Sequence, residues 1–237
     1  MSRFSIVTAI AILVAAAQHA SALTFLTEEN PPLNFTSNGQ VAGTATATVQ
    51  EMLKRSGLAA DIRVLPWDEA YAQAQSDPAT CVYATARLPE RYNLFQWIGP
   101  IARGVYSAFA LEGFKDKIGS AGDLFKYRIG VARDARAQYL RRRGFTNLVE
   151  VDKDGDIPAM LTLSPAKPGG VDVWVTQAEM AREVARKAGG GPIKEVFPAI
   201  LTQEYWLACN PNLPQAQVRA LSDALSGIDK QGAAAAK

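Results

Sequence analysis

Two arginines, Arg87 and Arg91, lie in the stretch from Cys81 to Pro100, just beyond a short apolar run that reads as a strand. A guanidinium keeps its charge at any physiological pH and presents a planar fork of donors that matches a carboxylate, so this pair points to a held anion. Spacing alone leaves equally open that both are solvated loop residues. Aromatic residues Tyr92, Phe95 and Trp97 follow, and the stretch closes at the Gly99-Pro100 breaker.

The rest of the chain limits what chemistry those arginines can join. His19 is the only histidine. It falls in an N-terminal segment with Arg3, an apolar run from Phe4 to Ala17, and Ala20-Ser21-Ala22, the pattern of a secretory leader over 1–22. The apolar run is shorter than the ~20 residues a spanning helix needs. The mature chain is therefore expected to begin near Leu23, in the periplasm and without imidazole. That excludes Ser-His-Asp and Cys-His catalysis and the common His-ligated metals. No cofactor and no metal are expected. With 25 basic and 23 acidic residues the charge is near neutral, which argues against a nucleic-acid partner. Cys81 and Cys209 would meet an oxidising compartment, where an even pair reads as bridged sooner than free. A bridge closing so long a loop is worth at most about 5 kcal/mol in the chain-entropy model.

These residues need elements to place them. Leu23 to Leu26 predicts a strand, and the proline-rich run from Asn30 to Gly39 a loop and turn. Val49, Met52 and Leu53 recur at helical spacing, with Gly57 as a stop, and a strand follows over Asp61 to Leu65. Strand, loop, helix, strand in that order reads as a βαβ unit with a parallel sheet. A helix opens at Pro66-Trp67-Asp68 and ends at Asp77-Pro78, and the Cys81 strand comes next. From Ile101 to Leu111 few turn signals interrupt the chain, which is long enough to pass from one lobe to another. Strands are then predicted over Tyr127 to Ala132, Leu148 to Val151, Val171 to Val175 and Ile193 to Phe197. Helices are predicted over Ala121 to Leu124, Ala135 to Arg143 with Asp134 as N-cap, Ile157 to Leu163, and Thr176 to Lys187. Tyr205 to Cys209 is strand-like, Pro214 starts a helix through Ile228, and Gln231 to Lys237 is expected to fray.

Several segments, in this order, resemble the type II periplasmic solute-binding proteins of bacterial extracellular family 3, the amino-acid receptors of ABC importers. They are Pro31-Pro32-Leu33-Asn34-Phe35, Arg87-Leu88-Pro89-Glu90-Arg91, Phe95 to Pro100, Arg128-Ile129-Gly130-Val131, Val171-Asp172, and Tyr205 to Cys209. The resemblance spans nearly all of the mature chain. It implies an α/β fold of two lobes joined by two hinge connections, with lobe 1 formed by 23–103 plus 201–237 and lobe 2 by 104–200. Lobe closure would trap a small solute. It also implies that the strand returning to lobe 1 lies antiparallel beside the Cys81 strand, so that Cys81 and Cys209 form a disulfide.

By the same resemblance Arg91 clamps the ligand carboxylate. Arg87 falls where the family has no charge, and is a second clamp or a rim residue. The N-terminus of the helix after Asp134 would offer backbone donors at Ala135 and Arg136, although Asp134 opposes an anion and Arg136 favours one. Gln177 stands where amino-acid receptors place an aspartate for the α-ammonium, which puts an amino acid in doubt as the ligand. Ala86, Glu29, Phe35, Trp67, Tyr83 and Trp174 complete the candidate walls, with core or hinge packing the better reading of Tyr83. Glu29 could pair with a ligand ammonium or with an arginine across the cleft. The implied function is a monomeric, non-catalytic receptor for a small carboxylate-bearing solute, partnered by an ABC permease. Alternatives are a periplasmic dehydratase relying on Glu28, Glu29 or Asp134 as acid or base, or a partner of a sensor or oxidation system.

Overall fold

The computed structural model describes residues 23–163 and 167–235; the leader segment, with Arg3 and His19, lies outside the described residues. Among the described residues there are ten strands and six α-helices, with strands and helices interleaved along most of the chain. Strand β1 (Leu23–Thr27) is paired in parallel on both edges, by β4 (Ala60–Val64) and β5 (Thr80–Ala86), and helices cover both its faces. Helix α1 (Thr44–Ser56) turns Ala45, Val49 and Met52 to the core and ends at Gly57, whose left-handed φ of 68° lets its N–H reach the Leu53 carbonyl. Helix α2 (Trp67–Ser76) covers the other face of the same strands.

Two long strands occupy the middle of the molecule. β6 (Gln96–Leu111) and β10 (Ile193–Cys209) pair antiparallel from Leu111–Ile193 to Gln96–Cys209, with register shifts on the way. Beyond them lie β7 (Ile129–Ala132), β8 (Leu148–Val151) and β9 (Val173–Gln177), with α3 (Ala135–Arg142), α4 (Ile157–Leu161) and α5 (Ala181–Lys187) packed on them. One eight-stranded sheet results, in the order β4-β1-β5-β10-β6-β9-β7-β8. The C-terminal α6 (Gln215–Ala235) returns to pack beside α1.

The apolar clusters divide along the central ribbon. Two gather around β1 and β5, and take Ile98, Ile101, Tyr205 and Leu207 from the long strands. Two others gather around β7 and β9, and take Tyr106, Ala108, Phe109, Ile200 and Leu201. Only the ribbon itself is shared, as two hinge connections require. Cys81 and Cys209 sit opposite each other in the β5–β10 register and are bonded as the resemblance implied.

Five local readings of the sequence differ from the structure. Gly99-Pro100 does not break the chain but lies within β6. Phe35–Ser37 (β2) and Gln40–Ala42 (β3) form a hairpin rather than a loop, because Asn38 and Gly39 both adopt the positive φ of a two-residue turn. Thr176 and Gln177 end β9 rather than begin a helix: Tyr106 and Ser107 of β6 pair with them, and tertiary pairing overrides local preference. The segments at Ile193 and Tyr205 belong to one continuous strand. The helix after Pro214 runs on to Ala235, through most of the segment read as fraying.

Candidate functional site

The loop that leaves β1 is locked in place by the start of α1. The carbonyls of Pro32 and Leu33 accept from the N–H groups of Thr44 and Ala45, at 3.0 and 2.9 Å, satisfying donors that a helix start leaves open. Gly43 makes this approach possible; a Cβ there would lie 2.3 Å from the Leu33 oxygen. Buried Asn34 donates its side-chain amide to the Glu28 carbonyl, fixing the residue that leaves β1. Glu28 is thus held at the carboxyl end of a parallel strand, where open α/β sheets place ligands. Burial pushes its carboxyl up to about 7, Asp134 across the ribbon pushes the same way, and Arg91 and Arg136 only partly oppose them. Neighbouring Glu29 behaves differently: its carboxylate accepts from the Thr36 N–H at 3.0 Å and from the Thr36 hydroxyl, bracing the hairpin beside Phe35.

Arg91 comes from the 3₁₀ turn Pro89–Leu94 that follows β5. Its guanidinium lies 5.3 Å from the ring centres of both Trp67 and Tyr71, and one nitrogen donates to the Ala86 carbonyl at 3.3 Å. Among the described residues no carboxylate lies within ion-pair distance of it. Burial therefore lowers its pKa, with Tyr71, Glu90 and Glu28 opposing. This is a positioned cation whose stacking leaves donors at its edge for a ligand.

The second half of the molecule contributes Arg136, at the start of α3, but its charge is spent internally. Asp134 caps the helix, accepting from the Arg136 N–H at 2.8 Å and pairing with the guanidinium at 2.7 Å. Asp154 holds the other side at 2.9 Å. Burial works against the charge, yet Asp154 and Asp134 outweigh it and raise the pKa above the ordinary arginine value. Asp154 also accepts from the Trp174 indole at 2.9 Å and from the Thr176 hydroxyl at 2.6 Å. One cation between two carboxylates leaves this wall net negative. The backbone donor at Arg136 that the resemblance offered to a ligand is occupied by Asp134.

Between the two walls stand Tyr106 and Tyr205, one from each hinge strand, with their hydroxyls bonded to each other and Arg136 5.1 Å above the Tyr106 ring. Burial keeps both phenols neutral. The candidate residues therefore separate. Glu28 feels the charges of Arg91 on its own side and of Asp134 and Arg136 across the ribbon, Trp67 and the Ala86 carbonyl pack against Arg91, Ala135 opens α3 between Asp134 and Arg136, and Glu90 reaches Arg142 of α3 at 3.5 Å. Buried Gln177 lies opposite Tyr106 in the β6–β9 register. Trp174 is fully buried behind Asp154, and Tyr83 is core, bonded to Thr46 at 2.9 Å. Arg87 is exposed and packs among Tyr92, Trp97 and Trp206. Sequence reasoning missed Asp154, which reads as an ordinary turn acid in Lys153-Asp154-Gly155-Asp156, and the tyrosine pair, whose members are 99 residues apart. Among the described residues no cluster of three potential metal ligands exists, and no helix is long and apolar enough to cross a membrane.

This is the fold of the type II periplasmic binding proteins: two α/β halves on a pair of hinge strands. No protein-family model and no curated protein sequence matches the chain. Solved structures do. A histidine kinase sensor domain with similarity to periplasmic binding proteins is 20% identical, with a TM-score of 0.74 over 91% of this chain and 93% of that one. An ancestral arginine-binding protein bound to arginine is 20% identical, with a TM-score of 0.68 over 89% and 93%. The GluR0 ligand-binding core from Nostoc punctiforme, in complex with L-glutamate, is 18% identical, with a TM-score of 0.67 over 89% and 94%.

Proposed function

We propose that the protein is a non-catalytic periplasmic receptor that traps a small zwitterion, an amino acid or a related amino-carboxylate, by closing its lobes about β6 and β10. The observation that carries this reading is Arg91: a cation desolvated and packed against two rings, with no carboxylate among the described residues within ion-pair distance of it. A ligand carboxylate supplies that partner. The ligand's ammonium would meet Glu28 and Asp134, which take over the part that Gln177, being uncharged, cannot play. Binding groups drawn from both lobes favour the closed state, which is the differential affinity that closure needs. The structural neighbours that bind arginine and glutamate support the ligand class. An ABC permease is the proposed partner; the likeness to a sensor domain supports a signalling partner as the other candidate.

The test is a thermal-shift screen of amino acids, dicarboxylates and small amines, since a ligand specific for the folded state must raise the melting temperature. Calorimetry on the best hit should then show binding to the wild type and none to Arg91→Ala. Stabilisation by simple amines alone, unchanged in Arg91→Ala, would refute the carboxylate clamp.

A second reading rests on Glu28. A carboxyl poised near pH 7 in a cleft is what a general acid or base requires, and it supports a dehydratase-type enzyme on this scaffold. Turnover of a bound hydroxy acid, lost in Glu28→Gln while binding persists, would establish that reading over the first.

A further inference from the structure

The reverse face of the hinge ribbon carries a second constellation. Along β6 and β10 alternate side chains point to opposite faces. The register pairs Arg103 with Glu204 and Val105 with Thr202, one position out of step with Tyr106 and Tyr205. The Arg103–Glu204 ion pair, at 3.0 Å, therefore lies on the face turned away from the tyrosines and Arg136. There it borders an open groove of about 550 Å³, completed by Thr202, Trp206, Tyr92 and Arg87, with Gln203 at its edge.

Arg87 is the centre of this groove. Its guanidinium lies 5.0 Å from the Trp206 ring centre, 5.2 Å from Tyr92 and 5.8 Å from Trp97. The walls are braced from behind. The Trp97 indole donates to the Tyr92 carbonyl at 3.0 Å. Trp206 lies flat against Gly99, where a Cβ would come within 2.9 Å of the indole, so a side chain at 99 would displace it. Among the described residues no carboxylate lies within ion-pair distance of Arg87, while Arg103 has only Glu204 to share. The groove carries one net positive charge, a rigid planar cation and aromatic walls. A stacked guanidinium keeps its edge donors for a carboxylate, and the rings offer a surface to a flat apolar body.

We propose that this groove is a second binding site, separate from the cleft, for a small organic anion with a planar apolar body, the carboxylate seated on Arg87 and Arg103 and the body against Trp206 and Tyr92. Its volume falls within the range of small-molecule sites, roughly 300–1,000 Å³.

The four tryptophans give the assay its readout. Two-dimensional proton–nitrogen spectra of the purified protein, with indole signals assigned by single Trp→Phe substitutions, are followed during titration with sodium benzoate against sodium chloride of equal ionic strength. The Trp206 and Trp97 signals are expected to move along one saturable curve while Trp174 stays still. Arg87→Ala should weaken the apparent affinity about tenfold or more, as loss of a charge-assisted pair implies. Arg87→Lys should weaken it too, because the planar fork is lost. Arg91→Ala should leave the curve unchanged, so failure of the groove is distinguishable from failure of the cleft. Absence of a saturable shift, a curve unaltered by Arg87→Ala or Arg87→Lys, or a shift confined to Trp67 would overturn the proposal.

Discussion

Arg91 and Arg136 are both withdrawn from solvent, one in each half of the molecule, yet they are held in opposite ways. Arg136 sits between Asp134 and Asp154, which more than offset the desolvation of its charge. Arg91 has aromatic faces and a carbonyl, and burial lowers its pKa, with Tyr71, Glu90 and Glu28 too far off to offset it. A buried charge that the protein neutralises itself is a structural element. One left without its counter-charge is what the proposed carboxylate clamp requires.

Removing each arginine should separate the two cases most sharply. Arg136→Met leaves Asp134 and Asp154 without a cation, and breaking one side of such a buried network costs about 3 kcal/mol. Urea unfolding should show that loss. Arg91→Met should change stability by less than about 1 kcal/mol, since the stacking lost is offset by the desolvation relieved. Its effect belongs in binding: loss of one side of a desolvated ion pair costs about 2–5 kcal/mol, some thirtyfold at the least in calorimetric affinity. Equal destabilisation by the two substitutions would break the comparison.

Glu28 gives the next largest effect, and its sign follows from the direction of its shift. Its carboxyl titrates near 7 in the folded chain, above the ordinary 4.5, so between those values the folded state holds more protons than the unfolded one. Stability contributed by this group is greatest at the acidic end of that window and declines as pH rises towards 7. Glu28→Gln should flatten the decline, by about 2 kcal/mol across the window. Ligand binding sharpens the point. An ammonium seated on Glu28 favours the ionised form and releases a proton, whereas an anion alone would take one up. Calorimetry of the ligand at pH 7 in buffers of different ionisation enthalpy distinguishes the two, and proton uptake would count against a zwitterion.

The contrast between the arginines explains what could be read without coordinates. The βαβ order, the cap at Asp134 and the hinge segments rest on local signals: apolar periodicity, a carboxylate before a helix, a long run without turn residues. Cys81 and Cys209 pair because strand order fixes their register, which the resemblance supplied. Asp154 was illegible, since nothing local distinguishes an acid that turns inward to Arg136, Trp174 and Thr176 from a solvated turn residue. Arg87 and Arg91 look alike in sequence; what separates them is which aromatic rings from α2, β6 and β10 gather around each. Thr176 and Gln177 look helical in sequence because their pairing partners in β6 lie some seventy residues earlier. Ionic and tertiary partners are chosen by the fold, so residues whose role depends on them stay hidden until the fold is known.

The smallest effect concerns the one charged contact described here that joins the 3₁₀ turn bearing Arg91 to the helix bearing Arg136. Glu90 and Arg142 meet at 3.5 Å with both side chains about half exposed. A solvent-exposed pair is worth about 0–1 kcal/mol and is screened by salt. If this pair only decorates a closure driven by the ligand, Glu90→Gln should weaken ligand binding less than about fivefold at low ionic strength, and by nothing measurable at 0.5 M salt, on the same grounds. A loss as large as that from Arg91→Met, persisting at high salt, would mean that closure is held by the lobes' own charges, and that Arg91 is not what the closed state waits for.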